Sequence, residues 1–317
     1  TLFRSGAEIT VEMNPCSAGG FDFPALRLAG ANRISIGLQS ALDAELQFLG
    51  RRHTARQAWD TAAAAQRAGF RSVSLDLMLG LEGQTTDSVR KSVAFCRDAG
   101  VTHVSAYLLK IEPGTRFFQQ REAFHLPGDD QASDLYLAAC QALEEAGLFQ
   151  YEISNFSVPG KESRHNLKYW QLQEYAGFGP GAHSDFGGVR YAYEKDVESY
   201  IAAAHGGVFR FSENTAIPPR DRDVEWLMLG ARTVYGLDPK DYENRFRRRF
   251  DPIFLPFLQK CAAAGYAVME KGRWHLTPRG FLVSNQIIGG LLDAQAEEKQ
   301  RRAEAAARGD FRVDSYQ

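Results

Sequence analysis

The sequence predicts an α/β protein, with repeated β/α units in its first half and a helical module closed by a β-hairpin near its end. Three observations carry this expectation. Four short runs before residue 110 are rich in apolar and β-branched residues, and the first alternates them. Helix-period patterns separate several of these runs. After about residue 205 the pattern becomes helical, interrupted by a single hairpin signal.

In chain order, the strand runs are AEITVEM at 7–13, RISIG at 33–37, SVSLDLMLG at 72–80 and VTHVSAYLL at 101–109. Helices are expected over about 43–68, 87–99 and 131–146, with Gly69 and Gly100 placed as C-terminal caps of the first two. Alternating units of this kind imply parallel strands with helices packed outside them. YEISNF at 151–156 is a candidate fifth strand. Beyond residue 205, helices are expected at 221–233, 239–250 and 252–264. A hairpin at 266–277 turning at Lys271-Gly272 follows, then a helix at 278–292, in a winged-helix-like order. The predicted division is therefore 1–205, 206–293 and a charged, disordered tail at 294–317.

Composition narrows the function classes. A net charge of −2 over 317 residues gives no electrostatic reason to expect nucleic acid or an anionic membrane as partner. No run approaches the roughly 20 apolar residues of a membrane span, although peripheral contact with a membrane stays open. Cysteines 16, 96, 140 and 261 are too scattered for a disulfide framework or a local metal motif, which predicts a reducing, cytoplasmic setting. The chain opens on Thr1 and runs almost directly into a strand, so an N-terminally incomplete protein is expected.

Two groups of residues could carry chemistry. Ligands of parallel β/α barrels sit at the C-terminal ends of strands. Glu12, Gln39 and Asp76 lie at or near such ends, and Arg51 is close enough downstream to return to the same mouth. Two carboxylates, an amide and a guanidinium suit a ligand bearing amino, hydroxyl and carboxylate groups; they equally suit ordinary salt bridges. The second group is His165, Asn166, Tyr169 and Trp170 in RHNLKYW, followed by His183 in GFGPGAHS. On a helix His165 and Tyr169 share one face, which fits either an aromatic packing plug or a haem ligand beside a flat wall. Glu112 in IEPGT reads as a solvated turn carboxylate. Arg245, Arg247, Arg248 and Arg249 in RFRRRF form a basic cluster, read as a solvated helix end.

Taken in order, VEMNP, ISIGLQS, LGRRHT, LDLMLGL, IEPGT, YEISNF, RHNLKYW and GFGPGAHS resemble the radical S-adenosylmethionine (SAM) proteins related to oxygen-independent coproporphyrinogen III oxidase. The resemblance extends from about residue 7 to about residue 292, and HNLKYW fits the HNxxYW pattern of the HemW-type haem-chaperone branch. It implies a partial radical SAM (β/α) barrel lacking its first two β/α units, followed by the winged-helix-like domain. It further implies SAM contacts at Glu12, Gln39, Arg51 and Asp76. Haem contacts are implied at His165, Asn166, Tyr169 and Trp170, with His165 the candidate iron ligand. His183 is either part of a loop closing the SAM pocket or a packing residue.

The family's CxxxCxxC motif is not in this sequence, so a [4Fe–4S] cluster is expected only in a longer, intact protein. An opened barrel leaves unpaired edges, which predicts poor solubility or a homodimer. The expected function is haem binding and delivery to an unknown acceptor. The alternative is oxidative decarboxylation of porphyrinogen propionates, and the third reading is a winged-helix nucleic-acid binder.

Overall fold

The protein is described by a computed structural model over residues 6–308. It divides into two compact units between Arg164 and His165, ahead of the boundary expected near residue 205.

In the first unit, β1 (Thr10–Met13), β2 (Arg33–Gln39), β3 (Val73–Leu79) and β4 (His103–Leu108) lie side by side and parallel. Their period-2 patterns explain both faces of the sheet. Ile34, Ile36 and Leu38 of β2 are fully buried on one side, as are Leu75 of β3 and Val104 and Ala106 of β4. The opposite side carries Arg33, Ser35, Gly37 and Gln39, then Ser74 and Asp76, then His103, Ser105 and Tyr107. One face is thus an ordinary apolar core, and the other is lined with polar groups.

The helices of this unit are α1 (Phe23–Leu28), α2 (Asp43–Phe48), α3 (Ala55–Arg67), α4 (Thr86–Asp98), α5 (Arg116–Gln119) and α6 (Asp129–Glu145). The single helix expected over 43–68 is two, α2 and α3. Gly50 takes a left-handed φ of 67° after α2, and Thr54 opens α3 through a reciprocal capping box with Gln57. Ala58, Ala62 and Ala65 then bury one stripe of α3.

YEISNF forms two strands, not one: β5 (Phe149–Glu152) and β6 (Asn155–Ser157) make a tight hairpin. β6 pairs antiparallel with β4, giving the order β1-β2-β3-β4-β6-β5. The reversal is local chemistry. The Glu152 carboxylate accepts the Ser154 N–H and the Asn155 side-chain amide, and the Tyr136 hydroxyl donates to the Ile153 carbonyl at 2.7 Å. The sheet of the described residues is open, with β1 and β5 at its two edges.

The second unit opens with α7 (Arg164–Trp170), which the sequence pattern alone left undecided. A three-stranded antiparallel sheet follows, β7 (His183–Phe186), β8 (Val189–Tyr193) and β9 (Phe211–Ala216), with α8 (Val197–Gly206) between the last two. None of these strands was anticipated. The missed signal is Gly187-Gly188, whose φ values of 63° and 75° make the two-residue hairpin turn.

The remainder keeps the expected order, except that the single closing helix expected over 278–292 is two, broken at Val283: α9 (Arg222–Gly230), α10 (Pro239–Phe246), α11 (Asp251–Ala263), β10 (Ala267–Glu270), β11 (Arg273–Leu276), α12 (Pro278–Leu282) and α13 (Ser284–Ala307). Trp226, Tyr242, Phe250 and Phe254 form its aromatic core. The β10–β11 turn sits at Lys271-Gly272, and Leu237 bridges to Trp274 in the manner of a third wing strand.

The tail expected to be disordered from 294 is helical through Ala307. Gln295 is buried, and Glu298 pairs with Arg301 and Arg302 along the helix. The last part of that predicted tail, 309–317, lies outside the described residues. No helix among the described residues is long and apolar enough to cross a membrane.

Candidate functional site

The polar face of the first unit carries Glu12, Gln39 and Asp76 of the sequence-predicted set, while Arg51 lies in the loop between α2 and α3 and its charge acts on Tyr107 of that face. Register aligns Glu12 with Ser35, and Asp76 with Ser105. The Ser35 hydroxyl lies 3.4 Å from the Asp76 carboxylate. Burial pushes the Asp76 carboxyl up to about 6, and the Glu12 charge pushes the same way; hydrogen bonds from Ser105 and Ser35 and the Arg33 charge act against it. Asp76 thus exchanges its proton about one pH unit below neutrality.

Gln39 is buried at the end of β2, after a register shift, with a left-handed φ of 71°. Such a backbone costs a non-glycine residue about 1–3 kcal/mol and is held only where the surroundings over-determine it. Here Tyr107 helps to hold it, donating its hydroxyl to Gln39 Oε1 at 3.1 Å. Burial raises the Tyr107 phenol and Asp76 adds to the rise, while the Arg51 guanidinium and the Gln39 bond draw it down. Tyr107 therefore bonds Gln39 and lies within reach of the Asp76 and Arg51 charges. Sequence reading missed it, although VTHVSAYLL places it two residues beyond Ser105 on the same face.

Gly37 completes the cradle. A Cβ there would stand 2.9 Å from Gln39 Nε2 and 3.5 Å from Asn14 Oδ1, so glycine keeps that floor open. Below it, the buried His103 bonds Ser74 at 2.8 Å and the Tyr151 hydroxyl at 2.7 Å. Burial, helped by Arg33, keeps its imidazole neutral. Glu112 is not in the cradle; it is exposed and pairs with Lys110 at 2.7 Å.

The cysteines behave differently. Cys16 is exposed, and Cys96, Cys140 and Cys261 are buried. Burial pushes all three buried thiols up, Cys140 to about 12. Cluster ligands must be thiolates, and among the described residues no three His, Cys, Asp or Glu side chains converge on a metal position. These residues do not fit an iron–sulfur cluster. The donor set of the cradle does fit SAM: carboxylates for ammonium and hydroxyl groups, a guanidinium for a carboxylate.

The second set lies on α7, none of whose seven residues is buried. The Tyr169 hydroxyl and His165 Nε2 are 2.8 Å apart, one helical turn from each other. Tyr169 also meets the Tyr175 ring edge-on at 4.5 Å. His165 and Tyr169 are exposed, and Asn166 and Trp170 half-buried. His183 is an exposed residue opening β7, 3.8 Å from the Glu213 carboxylate, and neither packs in a core nor belongs to the first unit. Two of the four arginines of the basic cluster form ion pairs: Arg245 with Asp241, and Arg248 with the fully buried Asp223.

Comparison with known proteins gives this arrangement its relatives. Residues 3–96 match the Radical SAM superfamily and residues 217–283 the HemN C-terminal domain. The Bacillus subtilis "Heme chaperone HemW" is 33% identical over 90% of this chain and 76% of its own length. A mouse "Radical S-adenosyl methionine domain-containing protein 1, mitochondrial" is 45% identical over 96% of this chain and 72% of its own. The fold matches Escherichia coli coproporphyrinogen III oxidase HemN with a TM-score of 0.72 at 19% identity, over 90% of this chain and 69% of that one. The polar cradle thus lies largely within the radical SAM match, the winged module carries the HemN C-terminal match, and the extent of identity settles the branch: the chain belongs to the HemW family of haem chaperones.

Proposed function

We propose that the chain holds haem at α7, with His165 as iron ligand and Asn166, Tyr169 and Trp170 around it, and passes it to an acceptor protein. The observation that carries this is the exposure of His165 and Tyr169 on α7, beside a half-buried Trp170, which leaves an imidazole and aromatic ring surface accessible to a ligand. Neutral imidazole and flat rings are the groups a porphyrin iron takes.

The same reading places SAM in the cradle of the first unit, its carboxylate toward Arg51 and its ammonium and hydroxyl groups toward Glu12 and Asp76. Gln39 and Tyr107 fix the edge of that cradle. When bound, SAM supplies a sulfonium activated for carbon–sulfur cleavage. The cluster that would reduce it finds no fitting ligands among the described residues. The setting we propose is a reducing compartment: the cytoplasm expected from cysteine use, or the mitochondrion named for the mouse relative.

Absorption titration with hemin tests the haem site. The chain is expected to show a Soret shift saturating near one haem, and His165→Ala is expected to lose it. Equal shifts in both proteins would exclude His165 as ligand. A finer result concerns Tyr169, whose hydroxyl already engages His165 Nε2. Coordination through Nε2 must break that bond, which is worth about 1 kcal/mol net. Tyr169→Phe is therefore expected to bind hemin about fivefold more tightly. A looser complex would instead make Tyr169 a positioning residue, with iron on Nδ1.

A further inference from the structure

At the C-terminal end of α7 the second unit contains a cleft of 420 Å³, lined by Trp170, Leu172, Trp226, Tyr235, Arg245 and Arg273 among others. The volume lies within the roughly 300–1,000 Å³ of small-molecule sites. Its wall next to α7 is shaped by a tight turn. Leu172 adopts a left-handed φ of 56°, and the N–H groups of Leu172 and Gln173 return to the carbonyls of Tyr169 and Lys168 at 3.1 and 2.9 Å. This closes the helix as glycine ordinarily would, and it fixes Trp170 at the rim.

Charge in the cleft is balanced by count but not by hydrogen-bonding capacity. Asp238 caps α10, accepting the N–H groups of Lys240 and Asp241, and also takes Arg273 at 3.1 Å. Asp241 accepts the Trp226 indole N–H at 2.8 Å and Arg245 at 2.9 Å. Both carboxylates are therefore engaged by several donors. Each guanidinium has five N–H donors, and both side chains are about half exposed, 49% for Arg245 and 50% for Arg273. Indole and phenol rings flank these donors. Aromatic walls with two forked cations describe the edge of a flat dicarboxylate.

We propose that this cleft receives the carboxylate edge of the porphyrin, with Arg245 and Arg273 binding the two propionates and Trp170 lying against the ring. The inference rests on the haem reading above and adds a second anchor to it, on the winged module. It gives a role to one arginine of the RFRRRF cluster.

The test compares hemin with hemin dimethyl ester, whose propionates are neutral, on the full chain, on Arg245→Gln/Arg273→Gln and on Arg245→Lys/Arg273→Lys. Hemin is expected to bind the glutamine variant more weakly by about tenfold per arginine. The ester should bind the unaltered chain as weakly as hemin binds that variant, and should not distinguish the proteins. The lysine variant should recover part of the loss, which shows that an altered fold is not the cause. Equal hemin affinity in all three proteins would overturn the cleft while leaving His165 ligation intact. No saturable hemin binding to the unaltered chain would overturn the haem reading and the cleft with it.

Discussion

Asp185→Ala is expected to destabilise the second unit by about 3–5 kcal/mol, the cost of leaving a buried ion pair half made. Asp185 lies on β7 and is 7% exposed. Arg222 of α9 grips both carboxylate oxygens, at 2.5 and 2.6 Å, and Arg190 of β8 adds a third bond at 2.9 Å. Glu225 closes the box, taking Arg190 at 2.8 Å and Arg222 at 2.9 Å. These bonds fasten the three-stranded sheet to the first helix of the winged module. With the aspartate gone, two guanidinium groups share one partner.

The Arg222 bond chiefly holds the Asp185 carboxyl below the usual range. Its contribution is therefore complete above the ordinary aspartate pKa and is lost as pH falls through the depressed one. Urea unfolding followed by tryptophan fluorescence, to which Trp226, Trp170 and Trp274 of this unit contribute, measures the change. A loss under 1 kcal/mol at pH 7 would show that the box is solvated and adds little.

Asp76→Asn is expected to act in the opposite direction, stabilising the free protein by up to about 3 kcal/mol above pH 6, the equivalent of a shift of about two units. The sign follows from the raised pKa. Between 3.8 and about 6 the folded protein binds a proton that the unfolded chain has released, so stability falls as pH rises through that window. Above it, the folded state holds a desolvated carboxylate facing Glu12. Asparagine removes the charge and can still accept a hydrogen bond from Ser35. At pH 4 or below, the advantage should shrink toward zero. The same change should weaken SAM binding, since the carboxylate proposed to receive its ammonium or hydroxyl groups is lost. Unfolding curves at pH 4 and pH 8 decide the matter; equal effects at both would refute the charge argument.

Much of this was legible in the sequence, for reasons that differ by element. Strands β1 to β4 announce themselves because each is a run of apolar or β-branched residues, as in Ile34, Ile36 and Leu38. Lys271-Gly272 was readable because a two-residue turn has few solutions. The signal at Gly187-Gly188 was just as strong, but the flanking strands carry Asp185 and Arg190, which mask the apolar alternation. The turn inside YEISNF depends on Glu152 folding back on Ser154 and Asn155, a side-chain event that hydrophobic patterning does not see. Glu12, Gln39, Arg51 and Asp76 could be proposed from family motifs. Tyr107 could not, because its link to Gln39 spans 68 positions and exists only once β4 is laid down two strands from β2.

The exposure of α7 has an energetic corollary. A seven-residue helix with no fully buried residue is far shorter than the roughly 12–15 residues that hold a helix in water by themselves. Its formation leans on the end closure at Leu172 and on the Tyr169–Tyr175 contact. Such a segment sits at the low end of the local-unfolding scale. Any ligand that needs it helical then binds with its intrinsic affinity scaled by the fraction of time the helix exists. Grip and release of a cargo can in that case be tuned from the helix's far end, by residues that never touch the cargo.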